Sequence, residues 1–265
     1  MQFLGEVSLL TFSVLLLAAF CAGLIDAIAG GGGLIQLPAL LIGLPNSETA
    51  QVLGTNKLAA VFGTSSAAIM YRRRTKPDLR FTLAMAVPAF IGSVCGALLA
   101  AYIPTDALRP LVFVLLVAVG IFTWRRPTLG HVELLRHSPR RRQKIAVFAG
   151  GGIGFYDGVF GPGTGTFLML VLVAALGFAF LNASAIAKIV NVSTNIGAIC
   201  VFGIHGVILW KLGLALGVAN IVGGLIGARV AIRGGSAFVR RVFLIVTAIL
   251  ICKVGLDTLT HFLEQ

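Results

Sequence analysis

Hydrophobic positions along this chain come in long continuous blocks, at about residues 7–28, 34–44, 47–71, 81–102 and 108–124, and again after residue 144. Runs that approach the roughly 20 residues needed to cross a bilayer predict membrane-spanning helices, whereas a β-barrel would show alternation. The block at 34–44 is the exception. As a helix it reaches only about 16 Å, short of a hydrocarbon core of about 30 Å, and it carries Pro38 before ending at Pro45. It is therefore either a half-helix of a re-entrant pair or a short crossing, and in both cases the chain returns to the same side. The fourth block carries Gly92 and Gly96, a small-xxx-small face suited to close helix packing.

The first block runs into Gly23, Asp26 and then four consecutive glycines, Gly30–Gly33. Four glycines do not continue a stable helix, because their backbones are too free and have no side chains to pack. In lipid, the backbone groups that such a break releases must be buried in protein or face a water-filled cavity. A carboxylate beside the break is costly at that depth and marks a functional position. The same pattern returns at a shift of 131 residues as Gly154, Asp157, Gly161 and Gly163. The shift also superposes Lys57 on Lys188, Gly92 on Gly223, Gly96 on Gly227 and Arg109 on Arg240. Coincidences of Asp and Lys, rare in apolar spans, carry the inference of duplication. The expected organisation is a first transmembrane repeat over 1–124, a basic cytoplasmic linker over 125–144 and a second repeat over 145–265, each with about five helical elements.

Composition confirms the class: 58% of residues are hydrophobic and only 11% charged, where a soluble domain would carry about a quarter. The net charge of +12 is no nucleic-acid signal, because the basic residues collect in loops, chiefly 72–80 and 125–144. Loop charge also sets orientation. The loop at 72–80 holds five basic residues and its counterpart near 203–211 holds one, while the loop at 101–108 holds none and its counterpart carries Arg233 beside Arg229, Arg240 and Arg241. Basic bias that swaps between equivalent loops predicts two inverted-topology repeats, with broken helices at their interface and both termini facing outward. The leader holds only Glu6 and no basic residue, so the first block reads as a retained helix rather than a cleaved signal. Cys21, Cys95, Cys200 and Cys252 sit singly in apolar runs and read as buried small hydrophobes. Trp124 and Trp210 read as interfacial anchors.

Lys57 precedes Arg72 by 15 residues, about 22 Å along a helix, too deep to snorkel to the cytoplasmic surface. Lys57 and Lys188, related by a pseudo-twofold axis near the midplane, would make a cationic site between repeats. Asn56 and Thr64 stand near Lys57, while Asn191 and Asn195 share a helix face with Lys188. Half-helices starting after Gly31, Gly32 and Gly33 and near Thr164 would point free N–H groups and positive dipole ends inward, with hydroxyls of Thr164 and Thr166 added. Together these groups favour a small oxyanion. Asp26 and Asp157 admit two roles: buried structural ion pairs, Asp26 with Lys57 and Asp157 with Lys188, or proton exchange that couples transport to a gradient. No nucleophile elbow, phosphate loop, metal motif or histidine cluster is present, so no catalytic residue, metal or cofactor is assigned.

The Asp26 and Gly30–Gly33 motif, the run Thr55, Asn56 and Lys57, and the second Asp157, Gly161 and Pro162 motif resemble the TauE/SafE sulfite exporter family, in its YfcA-like branch. The resemblance covers nearly the whole chain outside the linker. It implies a permease of the bacterial inner membrane, with periplasmic termini, that moves sulfite or small organosulfonates among membrane lipids. Alternatives stay open: a proton-coupled carrier of another small anion, a cation carrier using Asp26 and Asp157, or a membrane enzyme or assembly factor.

Overall fold

The computed structural model describes residues 8–100, 117, 121, 125, 130 and 132–263; the fifth apolar block, 108–124, and Trp124 thus lie outside the described residues, save isolated positions. Every regular element among them is helical: α1 (Leu9–Ala29), α2 (Gly33–Gly43), α3 (Thr49–Thr75), α4 (Leu79–Leu99), α5 (Pro139–Val159), α6 (Thr164–Leu170, continued by a π-helical turn over Val171–Ala175), α7 (Phe180–Ile204) and α8 (Trp210–Leu263). Helices α1, α4 and α7 and the stretch Trp210–Ile249 of α8 are long and apolar enough to cross a membrane. This is the architecture of a polytopic helical membrane protein. α8 is interrupted at Gly235, whose φ of 67° and ψ of −174° leave the helical region.

Local chemistry explains where the helices begin and end. The Ser8 hydroxyl accepts the Thr11 N–H at the start of α1, and the Asp78 carboxylate accepts from Arg80 and Phe81 N–H at the start of α4. These side chains satisfy donors that a helix start otherwise leaves orphaned. Arg72, Arg73 and Arg74 occupy the last turn of α3, where cations face the negative end of the helix dipole. Trp210, half-exposed, opens α8.

The packing joins the early helices to the late ones. α1 packs on α8 and α4 on α5, and α3 lies against both α7 and α8. Glycines set the closeness of these contacts. A Cβ at Gly92 would overlap the Gly151 carbonyl and one at Gly96 the Phe155 carbonyl; one at Gly223 would overlap Phe20 O and one at Gly227 Leu24 O. The predicted small-residue faces are thus sites of backbone-to-backbone approach, which lets α4 meet α5 and α8 meet α1.

Two expectations need correction. The stretch 125–144 is not simply an exposed loop. Residues 139–144 form the start of α5, Leu134 and Arg136 donate backbone hydrogen bonds to Gly177 and Leu176 carbonyls at 2.9 Å, and Gly130 O accepts from Phe180 N. Proline at position 139 suits the first helical turn, and the basic run that follows tolerates a helix as well as a coil. Nor are the cysteines buried: Cys95, Cys200 and Cys252 are exposed and Cys21 is half-buried. They lie on the outer faces of apolar helices, where a small hydrophobe meets hydrocarbon rather than a core.

Candidate functional site

α1 ends because Gly30 takes a left-handed conformation, with φ of 84°, while its N–H still bonds Asp26 O. α5 ends at Val159, and Gly161 and Gly163, at φ of 93° and 85°, flank Pro162. Left-handed backbone of this kind strains any residue with a Cβ. The two breaks also touch: a Cβ on Gly30 would run into the backbone of Gly165 and Thr166. From the breaks, α2 and α6 start, and both are short. With its π-helical continuation the second covers 12 residues, Thr164–Ala175. The N–H groups of Gly31, Gly32 and Gly33 donate to no acceptor among the described residues, as expected for the orphan donors of a helix start.

Asp26 and Asp157 stand in the last turns of α1 and α5, where the helix dipole disfavours a negative charge. Each is answered by a lysine from the middle of another helix. Lys57 Nζ lies 2.7 Å from Asp157 Oδ2, and Lys188 Nζ lies 2.8 Å from Asp26 Oδ2. The expected pairing, Asp26 with Lys57 and Asp157 with Lys188, is therefore wrong in its partners: each lysine reaches the carboxylate of the other half. The reason is packing. α3 packs on α7, with Lys57 seated against the break after α5 and Lys188 against the end of α1. Gly161 enforces this geometry, because a Cβ there would come within 2.6 Å of Lys57 Nζ. Lys57, Asp157 and Lys188 are buried, and Asp26 is 15% exposed, the most open of the four. The hydroxyl of Thr164 donates to Asp157 Oδ1 at 2.6 Å, and that of Thr64 points at Asp26 Oδ2 from 3.4 Å.

Between the breaks lies a cavity of about 30 Å³, room for one or two waters. Its walls include Asp26, Lys57, Thr64, Asp157 and Thr164, the glycines Gly32 and Gly33, and the amides Asn56, Asn191 and Asn195. Three expected site residues stand elsewhere. Lys188 reaches the cavity only through Asp26, Gly31 is off the wall, and the Thr166 hydroxyl turns away to Ala29 O at 3.3 Å.

Two polar wall residues went unread in the sequence, Gln36 and Asn220. Asn220 Nδ2 donates to Gln36 Oε1 at 2.6 Å, which leaves the buried Gln36 Nε2 without a partner. The signal was available: an amide in the otherwise apolar α2, and another in the apolar part of α8, are as exceptional as a charge there. The two ion pairs follow the repeat, although Lys188 stands off the wall, and the amides do not follow it. At the shift of 131, Asn191 corresponds to Ala60, Asn195 to Thr64, and Asn220 to Ala89.

The charges cancel, two lysines against two aspartates, so what the wall offers a guest is neutral hydrogen-bonding groups: the orphan backbone N–H groups at the start of α2, and amides whose unpartnered buried atoms are a donor, Gln36 Nε2, and an acceptor, Asn56 Oδ1. Among the described residues no cluster of His, Cys, Asp and Glu suits a metal ion.

Comparison with known proteins agrees with this architecture. The family model for the sulfite exporter TauE/SafE matches residues 15–254. The chain is 42% identical over 248 residues to the "Probable membrane transporter protein ORF9" of Sinorhizobium sp, covering 93% of each chain. It is 37% identical over 255 residues to the "Probable membrane transporter protein YfcA" of Escherichia coli (strain K12), covering 95% of this chain and 92% of the relative. A more distant relative, the "Probable membrane transporter protein YdhB" of Bacillus subtilis (strain 168), is 24% identical over 217 residues, covering 82% of this chain and 89% of the relative. No solved structure matches the chain. A family match across nearly the full length, and relatives at 37–42% identity aligned over more than nine-tenths of both chains, place the chain in the TauE/SafE family of membrane transporters.

Proposed function

We propose that this protein is a secondary transporter of small sulfur-containing anions, sulfite or organosulfonates, working by alternating access around the central cavity. The observation that carries the proposal is the set of donors on the wall: the orphan N–H groups at the start of α2, the unpartnered Gln36 Nε2 and the N–H₂ groups of Asn191 and Asn195 converge on one space beside Lys57. Both aspartates already hold a lysine, and Asp157 holds a threonine hydroxyl as well, which argues against a cation carrier. Charge balance supports coupling. An anion that entered this neutral, buried space alone would leave a net negative charge in a low dielectric, whereas a proton on Asp26 or Asp157 would free a lysine for it. The cavity is too small for the substrate as it stands, so binding requires the halves to part.

Two inverted repeats, exchanging about a pseudo-twofold axis, account for the reciprocal contacts. Lys57 meets Asp157 as Lys188 meets Asp26, and Gly92 approaches Gly151 as Gly223 approaches Phe20. Inversion is supported by the placement of Arg73 and Arg74 beside Arg229 and Arg233. The counterpart of the latter stretch lies at the opposite end of α4 from Arg73. The basic end then faces the cytoplasm of a bacterial inner membrane, with both termini periplasmic.

The test is counterflow of labelled sulfite and simple sulfonates in proteoliposomes, with and without a pH gradient, for the wild type and for Lys57→Ala and Lys188→Ala. Anion flux that falls to background in folded variants, and that responds to the gradient, is the expected result. Flux of no anion, or flux indifferent to both lysines, overturns the proposal.

A further inference from the structure

A second polar site lies away from the cavity. Arg73 and Arg74, at the end of α3, and Arg229 and Arg233, before the Gly235 break in α8, line one groove of about 370 Å³ floored by Met70 and Ile232. No carboxylate is among its lining residues. Loop charge bias alone asks only that basic residues lie on one side of the membrane; it does not bring four guanidinium groups from two helices to a single groove. Another basic groove among the described residues shows the contrast, because there Lys76, Arg80, Arg140 and Arg142 are interleaved with Asp78 and Glu133. The arginine groove has no such counter-charge among its described lining residues, so it offers four exposed guanidinium groups to an anionic ligand.

What lies below the arginines decides the ligand's other end. Ile69 stands one turn beneath Arg73, and Ile226 and Val222 lie one and two turns beneath Arg229; all three are exposed. An anionic head above and hydrocarbon below describe one amphipathic molecule. We infer that this groove is a binding site for an anionic phospholipid of the same leaflet, its phosphate held by the four arginines and its acyl chains lying along Ile69, Val222 and Ile226. Guanidinium groups suit phosphate because their planar forks bond two oxygens at once, and basic pockets between transmembrane helices are a known form of headgroup site. Four arginines match two phosphates, so a diphosphatidyl lipid should bind more tightly than a monophosphate one. A bound lipid would bridge α3, which carries Lys57, to α8, which carries Asn220.

Native mass spectrometry of the delipidated protein in neutral detergent tests this. The probes are diphosphatidylglycerol, phosphatidylcholine and water-soluble glycerol phosphate. One arginine near an anionic headgroup contributes about fivefold in affinity, so Arg229→Gln/Arg233→Gln and Arg73→Gln/Arg74→Gln should each weaken diphosphatidylglycerol binding roughly thirtyfold. The control, Arg140→Gln/Arg141→Gln, removes the same charge from exposed positions elsewhere and should leave binding unchanged. Equal loss in the control would reduce the effect to net charge and overturn the site. Glycerol phosphate or phosphatidylcholine binding as tightly as the acidic lipid would overturn the ligand. Should a double variant fail to fold, Arg74→Gln and Arg229→Gln are read singly against a fivefold loss by the same criteria.

Discussion

The crossed ion pairs make a prediction that separates this structure from any with pairing inside each half. Lys57 and Asp157 are 3% and 2% exposed and 2.7 Å apart. Asp157→Asn would leave the ammonium of Lys57 buried without its counter-charge, and Lys57→Met would strand the carboxylate. Removal of one partner from a buried pair costs about 3–5 kcal/mol, whereas replacement of both by neutral groups is often close to harmless. The Lys57→Met/Asp157→Asn double variant should therefore be more stable than either single variant, with a coupling energy of about 3 kcal/mol or more. Reversible unfolding in mixed micelles, followed by the helical circular dichroism signal, gives the three differences. The companion cycle, Lys57→Met with Asp26→Asn, should show clearly smaller coupling, because Asp26 is bound to Lys188 at 2.8 Å. Additive losses in the first cycle, or equal coupling in the second, would refute the crossed arrangement.

Other consequences can be read by the same unfolding measurement. Gly92→Ala and Gly223→Ala push a methyl into a facing carbonyl and should each cost about 1–3 kcal/mol. Gly152→Ala, with nothing within 4 Å of the added carbon, should instead stabilise α5 by about 0.5–1 kcal/mol; a loss there would refute the contact argument. Tyr71→Phe deletes the buried hydrogen bond from the Tyr71 hydroxyl to Ala27 O, of 2.9 Å, and should cost about 1 kcal/mol. Asn220→Ala leaves both ends of the Gln36 amide without a side-chain partner and should cost about 1–3 kcal/mol; adding Gln36→Leu should recover part of it, and a further additive loss would show that the amide pair does not act as a unit.

Apolar block length made the helical membrane class legible from the chain alone, and the glycine clusters marked where α1 and α5 stop, because a run of glycines does not continue a helix and Gly30, Gly161 and Gly163 take a positive φ that strains residues with a Cβ. The rarity of Asp and Lys in apolar spans singled out Asp26, Lys57, Asp157 and Lys188. Gln36 and Asn220 obeyed the same rule and passed unread, since each stands alone without a counterpart at the 131-residue shift.

Which lysine meets which aspartate was beyond the sequence. A repeat maps Asp26 onto Asp157 and Lys57 onto Lys188 together, so pairing within each half and pairing across halves satisfy it equally well. The choice belongs to helix packing: close glycine contacts seat α4 on α5 and α1 on α8, and α3 packs on α7 so that Lys57 lies against the break after α5 and Lys188 against the end of α1. Charge and periodicity are properties of one segment at a time, whereas an ion pair between segments 100 and 162 residues apart depends on the tertiary structure that brings them together.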